Sequence, residues 1–305
     1  MIDRRQFSVG ATALWAAASA RAETAPAPGL WSRSEGSGRD IVFVHGWSMD
    51  HRDEIRIYEP IFARRTGWRR HYVDLPGMGR SPADPRIRDL DDMLDGLARW
   101  IRHRIGDGPA ILAGTSAGAY LALGALARPD IRVDGLLLRA PLIVPDNERR
   151  DVDPPAPIIT DAAVRETIAP AEREAMGELM IQTLAYLEAM RAKMREAVTP
   201  AMAAANQAFL TSIRGDPSRY RLRALAGSLP GFERPALIVT GRLDASVGYR
   251  DAWRLMPGFP RATFVTLDRA EHGVPIDQQQ VFAALVDDWL DRLEEDRAAR
   301  ERGAT

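Results

Sequence analysis

The chain has 305 residues, of which 41 are lysine or arginine and 42 are aspartate or glutamate, so its formal net charge is −1. This balance, with no block of basic residues, argues against a nucleic-acid partner. The sequence contains no cysteine, which excludes disulfides, thiol catalysis and thiolate metal ligands. The length suffices for one large hydrophobic core, and we expect no membrane span in the mature protein.

The first 22 residues have the order of a bacterial export signal. A basic start at 4–7 (RRQF) precedes a moderately apolar run at 9–18, which is too short to span a bilayer. Residues 20–22 (ARA) have the small-residue pattern of a cleavage site, and the paired arginines resemble a twin-arginine signal. We expect cleavage after Ala22 and a periplasmic or secreted protein; an ordinary disordered N-terminus is the alternative.

Beyond this leader, short apolar runs alternate with helical segments. The apolar runs lie at 41–44, 70–74, 111–113, 133–139, 236–240 and 262–267. Helical spacing occupies 90–105, continues from the third run to residue 127, and returns near 277 before dissolving into a charged tail at 294–302. Strands that alternate with helices predict an α/β fold with a mostly parallel, doubly wound sheet.

This alternation stops between residues 142 and 223. The segment 171–198 has the pattern of one long helix, and Pro200 ends or kinks it. We therefore predict a helical cap at 145–223, inserted into a core formed by 23–144 and 224–305. One stripe of the long helix is rich in methionine and either packs on the core or lines an apolar pocket. The stripe comprises Met176, Leu179, Met180, Leu184, Leu187, Met190 and Met194.

A G-x-S-x-G pentapeptide at 114–118 separates an apolar run from a segment rich in alanine and leucine. The pattern is strand, sharp turn, helix, which would expose the hydroxyl of Ser116 at the edge of the sheet. Glycines on either side allow the strand and the helix to approach each other closely. Alone, the pentapeptide is as typical of a simple turn as of a reactive serine.

A serine hydroxyl becomes a strong nucleophile only when a general base removes its proton and a carboxylate orients that base. Asp244 follows the apolar run at 236–240, and His272 follows the run at 262–267. The carboxyl ends of parallel strands share one edge of a sheet, so both residues can meet Ser116 there. Asp146, just past the run at 133–139, is the alternative acid. The remaining histidines His51, His71 and His103 are expected at packing or surface positions.

The order Ser116, Asp244, His272 resembles the catalytic triad of the α/β-hydrolase superfamily. The resemblance covers about residues 40–293 and includes His45-Gly46. It implies an oxyanion hole formed by the backbone N–H groups of Trp47 and Ala117, with the His45 ring bracing the loop. The segment 74–81 (DLPGMGRS) is similar to a turn found in many of these enzymes. We expect a structural turn there, because no helix starts at its glycines to bind phosphate.

The predicted activity is hydrolysis of a small or medium carboxylic ester or lactone through an acyl-enzyme on Ser116. We expect a small-molecule substrate, no cofactor and no metal. Family members that act on haloalkanes or epoxides carry aspartate at the position of this serine. An aminopeptidase or amidase, a cofactor-free haloperoxidase or perhydrolase, and a non-catalytic ligand-binding protein remain alternatives. The oligomeric state stays open.

Overall fold

A computed structural model of the chain describes residues 29–303. The predicted export signal at 1–22 lies outside the described residues, as does the segment that follows it. None of the helices within 29–303 combines the length and the apolar character of a membrane span.

Seven strands form one sheet, and the predicted α/β class with a mostly parallel sheet is confirmed. The strands lie in the order β1-β3-β2-β4-β5-β6-β7, and only β1 runs antiparallel to its neighbour. The central strand β4 carries the G-x-S-x-G segment at its carboxyl end. The bounds are β1 Ser32–Gly36, β2 Arg39–Val44, β3 Trp68–Val73, β4 Ala110–Thr115, β5 Val133–Arg139, β6 Ala236–Gly241 and β7 Ala262–Leu267.

Strand β1 was not predicted from the sequence. Its residues are SRSEG, which has neither the apolar run of a buried strand nor an alternating pattern. The strand lies at the edge of the sheet and pairs with β3 alone, from Ser32 opposite Val73 to Gly36 opposite Arg69. Its backbone pairing, rather than its side chains, therefore defines it.

Helices cover both faces of the sheet. Helices α1 (His51–Phe62) and α10 (Gln279–Gly303) pack on one face, and α2 (Leu90–Ile105) and α3 (Ala117–Leu126) pack on the other. Helix α2 has the predicted bounds. The prediction that the last helix dissolves after residue 294 is wrong, because α10 continues to Gly303. Ion pairs one turn apart, Arg297 with Glu301 and Arg300 with Asp296, stabilise this charged end.

The segment between β5 and β6 is largely helical, as predicted. It contains five α-helices, α4 to α8. A π-helical turn lies at Met194–Val198, and short 3-10 turns lie at Asn147–Arg149 and Arg223–Leu225. Helix α9 (Arg250–Trp253) and the 3-10 turn Met256–Gly258 follow β6. The bounds in the inserted segment are α4 Ala162–Glu166, α5 Pro170–Met176, α6 Leu184–Lys193, α7 Thr199–Ala204 and α8 Gln207–Arg214.

The prediction of one long helix over 171–198 is wrong. Helix α5 ends at Met176 and is followed by Gly177, which has a φ of 73° that favours glycine, and α6 begins only after Thr183. The side chain of Thr183 accepts a hydrogen bond from the backbone N–H of Tyr186 and so caps α6. Pro200 does not end the helical path, which runs from α6 through the π-helical turn Met194–Val198 into α7.

The apolar stripe of this segment forms a hydrophobic cluster of its own. Leu179, Met180 and Leu187 are buried in it together with Ile276, which follows the His272 loop. Met176 and Met190 pack at its margin, whereas Leu184 is exposed. The stripe thus packs the inserted segment onto the core. Three of the four methionines of the stripe, Met176, Met180 and Met190, take part in this packing.

Candidate active site

Ser116 lies on a strained turn between β4 and α3. Its φ of 53° and ψ of −116° are unusual for a residue with a side chain, and such strain costs on the order of 1–3 kcal/mol. A Cβ atom on Gly114 would come 2.6 Å from Cα of Ala119, and one on Gly118 would collide with the carbonyl oxygens of Val44 and His45. Only glycine at these two positions lets strand and helix approach closely enough to form the turn.

The three residues predicted to act together are adjacent in the structure. Oγ of Ser116 is 3.1 Å from Nε2 of His272, and Nδ1 of His272 is 2.9 Å from Oδ2 of Asp244. Each residue follows the carboxyl end of a parallel strand: β4 for the serine, β6 for the aspartate and β7 for the histidine. These distances allow a proton to pass from the hydroxyl to the ring and the carboxylate to hold the ring.

Asp244 is held as a carboxylate. Its second oxygen, Oδ1, accepts hydrogen bonds from the backbone N–H groups of Ser246 at 2.8 Å and Val247 at 3.0 Å. Burial by itself would raise the pKa of Asp244, but His272 and these two donors outweigh it and lower the pKa below its ordinary value. The carboxylate is therefore charged and fixed in position where it faces the imidazole.

The other acids near these residues have different partners. Asp146 accepts a hydrogen bond from the backbone N–H of Glu148 at 3.1 Å and caps a short helical turn. Glu271, next to His272 in sequence, accepts a hydrogen bond from the backbone N–H of Met180 at 3.0 Å. Burial raises the pKa of Glu271. The carboxylate that contacts the His272 ring is that of Asp244.

The loop after β2 brings its backbone against Ser116. A Cβ on Gly46 would lie 3.3 Å from Cβ of Ser116, so this glycine allows the close approach. The ring of His45 holds the loop: Nε2 accepts the N–H of Leu75 at 3.0 Å, and Nδ1 donates to the carbonyl of Gly46 at 2.8 Å. Ala117 is the first residue of α3, so its N–H has no partner within the helix.

The DLPGMGRS segment is a turn fixed by its own first residue. Asp74 accepts hydrogen bonds from the backbone N–H groups of His51 and Arg80, each at 2.8 Å, and from the His51 ring at 2.9 Å. The hydroxyl of Ser81 donates to the Asp74 carbonyl at 2.7 Å and accepts the N–H of Trp31 at 2.8 Å. These bonds occupy the polar groups of the turn, in agreement with the structural role expected for it. His51, the first residue of α1, is buried, which is one of the two kinds of position expected for it.

Beneath Ser116 and His272 lies a group of buried charges that the sequence did not predict. Arg139, at the end of β5, is completely buried, and its guanidinium donates to both Asp53 and Glu54 of α1 at 2.8 Å. It also donates to the hydroxyl of Thr115 at 3.0 Å and to the carbonyl of Val274 at 2.6 Å. One side chain thus joins the residue before the nucleophile, helix α1 and the loop that carries the histidine.

Lys193 completes this group from the inserted segment. Its Nζ is 3.1 Å from Oδ1 of Asp53 and donates to the carbonyl of Gly273, also at 3.1 Å. We call Asp53, Glu54, Arg139 and Lys193 the buried charge cluster; its two carboxylates and two cations balance. Burial raises the pKa of Glu54, and burial lowers that of Lys193. For Asp53, Lys193 and Arg139 outweigh the effect of burial, so its pKa falls.

No sequence pattern indicated this cluster, because its members lie on α1, β5 and α6, far apart in the chain. The available signal was weak. Arg139 ends an apolar run of the kind that forms a buried strand, and a buried arginine requires a carboxylate partner. The sequence offers 42 acidic residues as candidates, so the partner could not be identified.

A cavity of about 260 Å³ opens over Ser116 and His272. Ligand pockets in proteins are commonly about 300–1,000 Å³, so this one suits a small ligand. The rings of Trp47 and Tyr220 form one apolar part of the wall and meet edge to face at 5.0 Å. The methionines of the inserted segment are absent from its lining among the described residues. That segment instead contributes Arg150, Lys193, Val198, Arg214 and Tyr220.

The fold agrees with what comparison of the sequence shows. Residues 41–285 match the model of the alpha/beta hydrolase family, and the chain belongs to that family. It is an enzyme of the carboxylic ester hydrolase type. A similar curated relative, the pimeloyl-[acyl-carrier protein] methyl ester esterase of Shewanella woodyi, is 28% identical over 269 residues, covering 87% of this chain and 98% of the relative. The protein of the same name from Chromobacterium violaceum is 28% identical over 272 residues, or 86% and 98% of the two chains.

Solved structures agree with this assignment. An alpha/beta superfamily hydrolase from Oenococcus oeni PSU-1 is 26% identical, covers 87% of this chain and 97% of its own, and superposes with a TM-score of 0.76. An esterase from Exiguobacterium antarcticum, at 20% identity, shares the fold with a TM-score of 0.61 over 86% and 95% of the two chains.

The buried charge cluster makes a prediction about stability. Arg139→Met leaves Asp53 and Glu54 buried with Lys193 as their remaining cation, and breaking a buried ion pair on one side costs about 3–5 kcal/mol. We expect the free energy of unfolding in urea to fall by that amount. Arg132→Met, at an exposed arginine, is the matched control and should change it by less than about 0.5 kcal/mol. A loss at Arg139 no larger than that of the control would contradict a structural role for the cluster.

Proposed function

We propose that this protein is a serine hydrolase that cleaves a carboxylic ester through an acyl-enzyme intermediate. The observation that carries the proposal is the chain of two hydrogen bonds, from Ser116 to His272 at 3.1 Å and from His272 to Asp244 at 2.9 Å. In the first step His272 takes the proton of the Ser116 hydroxyl as Oγ attacks the ester carbonyl carbon. Asp244 keeps the ring in the required tautomer and stabilises the charged imidazolium.

The tetrahedral intermediate then collapses. The bond from carbon to the alcohol oxygen breaks, and the imidazolium gives its proton to the departing alcohol. Water, deprotonated by His272, attacks the acyl-enzyme in the second half of the reaction, and the carboxylic acid leaves. We assign the backbone N–H groups of Trp47 and Ala117 to the oxyanion. The closeness of Gly46 to Ser116 and the place of Ala117 at the start of α3 support this assignment.

We further propose that residues 145–223 act as a cap on a core formed by 23–144 and 224–305. In support, Lys193, Arg214 and Tyr220 belong to this segment and line the cavity over Ser116. For the substrate, methyl esters are the first candidates, since similar relatives along almost their whole length are methyl ester esterases. A methyl ester linked to an acyl-carrier protein is the second candidate, because the names of the same relatives specify such a substrate. A lactone remains a substrate to be tested.

Replacing the nucleophile tests the reaction directly. Ser116→Ala should fold normally and lower kcat on a methyl ester by roughly 10⁶-fold, leaving what binding and the oxyanion donors provide. Covalent labelling by a fluorophosphonate probe, followed by mass spectrometry, should attach to Ser116 in the parent and be absent from the variant. If the variant is still labelled or keeps near-normal turnover, the nucleophile is another residue.

Two aspartates can be compared as the third member of the triad. Asp244→Asn should reduce kcat by about 10⁴-fold, because the amide stabilises the wrong tautomer of His272. Asp146→Asn serves as the matched control and should retain turnover, since Asp146 caps a helical turn instead. The measurement is kcat on one ester at fixed pH for both variants. An inactive Asp146→Asn with an active Asp244→Asn would reverse the assignment.

We also propose that residues 1–22 are an export signal of the twin-arginine type, on the sequence pattern described above. Mass spectrometry of protein recovered from the periplasm or medium of a bacterial host should then find Glu23 at the N-terminus. Changing both Arg4 and Arg5 to lysine should leave the uncut precursor in the cytoplasm. Normal processing of that variant would indicate the general secretory route, and no processing of the parent chain would refute export.

A further inference from the structure

The positive charges of the cavity fall into two groups. Four cationic side chains line it: Arg139, Arg150, Lys193 and Arg214. Those of Arg139 and Lys193 are balanced by Asp53 and Glu54 within the buried charge cluster. Within residues 29–303, no carboxylate forms an ion pair with either of the other two arginines. The whole chain carries one more acid than base, so this excess of positive charge is local.

Arg150 is held in place by backbone carbonyl groups. Its guanidinium donates to the carbonyl oxygens of Val144 and Ser246 at 2.8 Å and of Pro145 at 2.9 Å. A guanidinium has five N–H groups, so two of them remain beyond these three bonds. Burial lowers the pKa of Arg150, and the nearby charge of Arg214 lowers it further. The two guanidinium groups are therefore close enough to repel each other.

The acids that act electrostatically on Arg150 are already engaged. Asp244 faces His272, and Asp251 accepts the backbone N–H of Asp151 at 3.0 Å and pairs with Arg254 at 3.4 Å. Neither can serve as its counter-charge without giving up these bonds. Arg150 is partly buried, so its attraction for an anion is screened less than in bulk water, whereas Arg214 is exposed at the mouth of the cavity.

Arg214 reaches the cavity from the last residue of α8. Its guanidinium carbon lies 5.7 Å from the centre of the Tyr220 ring, which orients the side chain by a cation–π contact. Tyr220 is itself buried, and burial raises its pKa to about 12, so the ring adds no negative charge near neutral pH. The Tyr220 ring also contacts the Trp47 ring, which lines the cavity together with Ser116. The fork of an arginine in such a position matches the two oxygens of a carboxylate.

We propose that the cavity binds an ester whose far end is a carboxylate, with Arg214 and Arg150 as the residues that receive it. The substrate class is the half-ester of a short dicarboxylic acid, such as monomethyl glutarate, because the cavity is small. This inference rests on the proposed function. Hydrolysis adds one water, breaks the bond between the acyl carbon and the alcohol oxygen, and releases methanol, the dicarboxylate and one proton.

Two esters of the same chain test the proposal. Monomethyl glutarate carries the free carboxylate, and dimethyl glutarate has it masked. We expect kcat/KM for the half-ester to exceed that for the diester by about tenfold or more, as is typical of a charge-assisted contact. Raising KCl from about 20 mM to about 500 mM should increase KM for the half-ester and leave that for the diester in place. Release of methanol measures both reactions.

Variants of Arg214 assign the preference to this site. In Arg214→Gln, the ratio of kcat/KM for the half-ester to kcat/KM for the diester should fall close to one, because KM for the half-ester rises. Arg214→Lys should restore part of the preference for the half-ester. Arg221→Gln, an exposed arginine a few residues along the chain, is the matched control and should keep the parent ratio. Arg150 is not varied, since it also holds Ser246 in the Asp244 loop.

The outcomes separate this inference from the proposed function. A parent enzyme that hydrolyses both esters without preferring the half-ester, or a preference that survives in Arg214→Gln, overturns the carboxylate site and leaves the esterase in place. If neither ester is hydrolysed and Ser116 is not labelled, calorimetric titration with monomethyl glutarate decides alone. Binding that Arg214→Gln weakens tenfold or more supports the site without the reaction, and no binding overturns it.

Discussion

The buried guanidinium of Arg139 is the constraint on which the site depends. It lies under the sheet edge where the nucleophile turn begins, and each of its partners comes from a different part of the fold: Thr115, Val274 and helix α1. A charge in such a place is tolerated only when it is surrounded by acceptors of fixed geometry. The position of the histidine loop relative to the nucleophile is consequently set by hydrogen bonds, not by loop packing alone.

Lys193 extends this constraint to the inserted segment. It lies at the end of α6 and contacts both Asp53 and the carbonyl of Gly273, so the segment over the cavity is bound to the same charges as the sheet beneath it. Glu271 adds a second link by accepting the N–H of Met180. The residue before His272 and the residue after it are thus both held by the inserted segment. The cavity wall formed by this segment and the position of the His272 loop therefore depend on the same contacts.

The sequence predicted those parts of the fold that depend on local pattern. The parallel strands were visible as apolar runs, α2 as a helical period, and the Ser116 turn as a pair of glycines whose contacts the structure shows. Elements that depend on pairing between distant residues were missed: β1 has no pattern of its own, and Arg139 gives no sign of its carboxylates. The single helix expected over 171–198 failed because Gly177 and the cap at Thr183 outweigh an apolar period.

The π-helical turn at Met194–Val198 has a consequence for how this family member can vary. A π turn holds one residue more than an α turn, and it lies directly between Lys193, fixed to the core, and α7. If the same residues were wound as regular α-helix, everything that follows would be rotated about the helix axis relative to Lys193. Val198 would leave the cavity wall while Lys193 stayed in place. The π turn therefore sets the angle about the helix axis between Lys193 and Val198. With this angle, Lys193 contacts the core while Val198 faces the cavity.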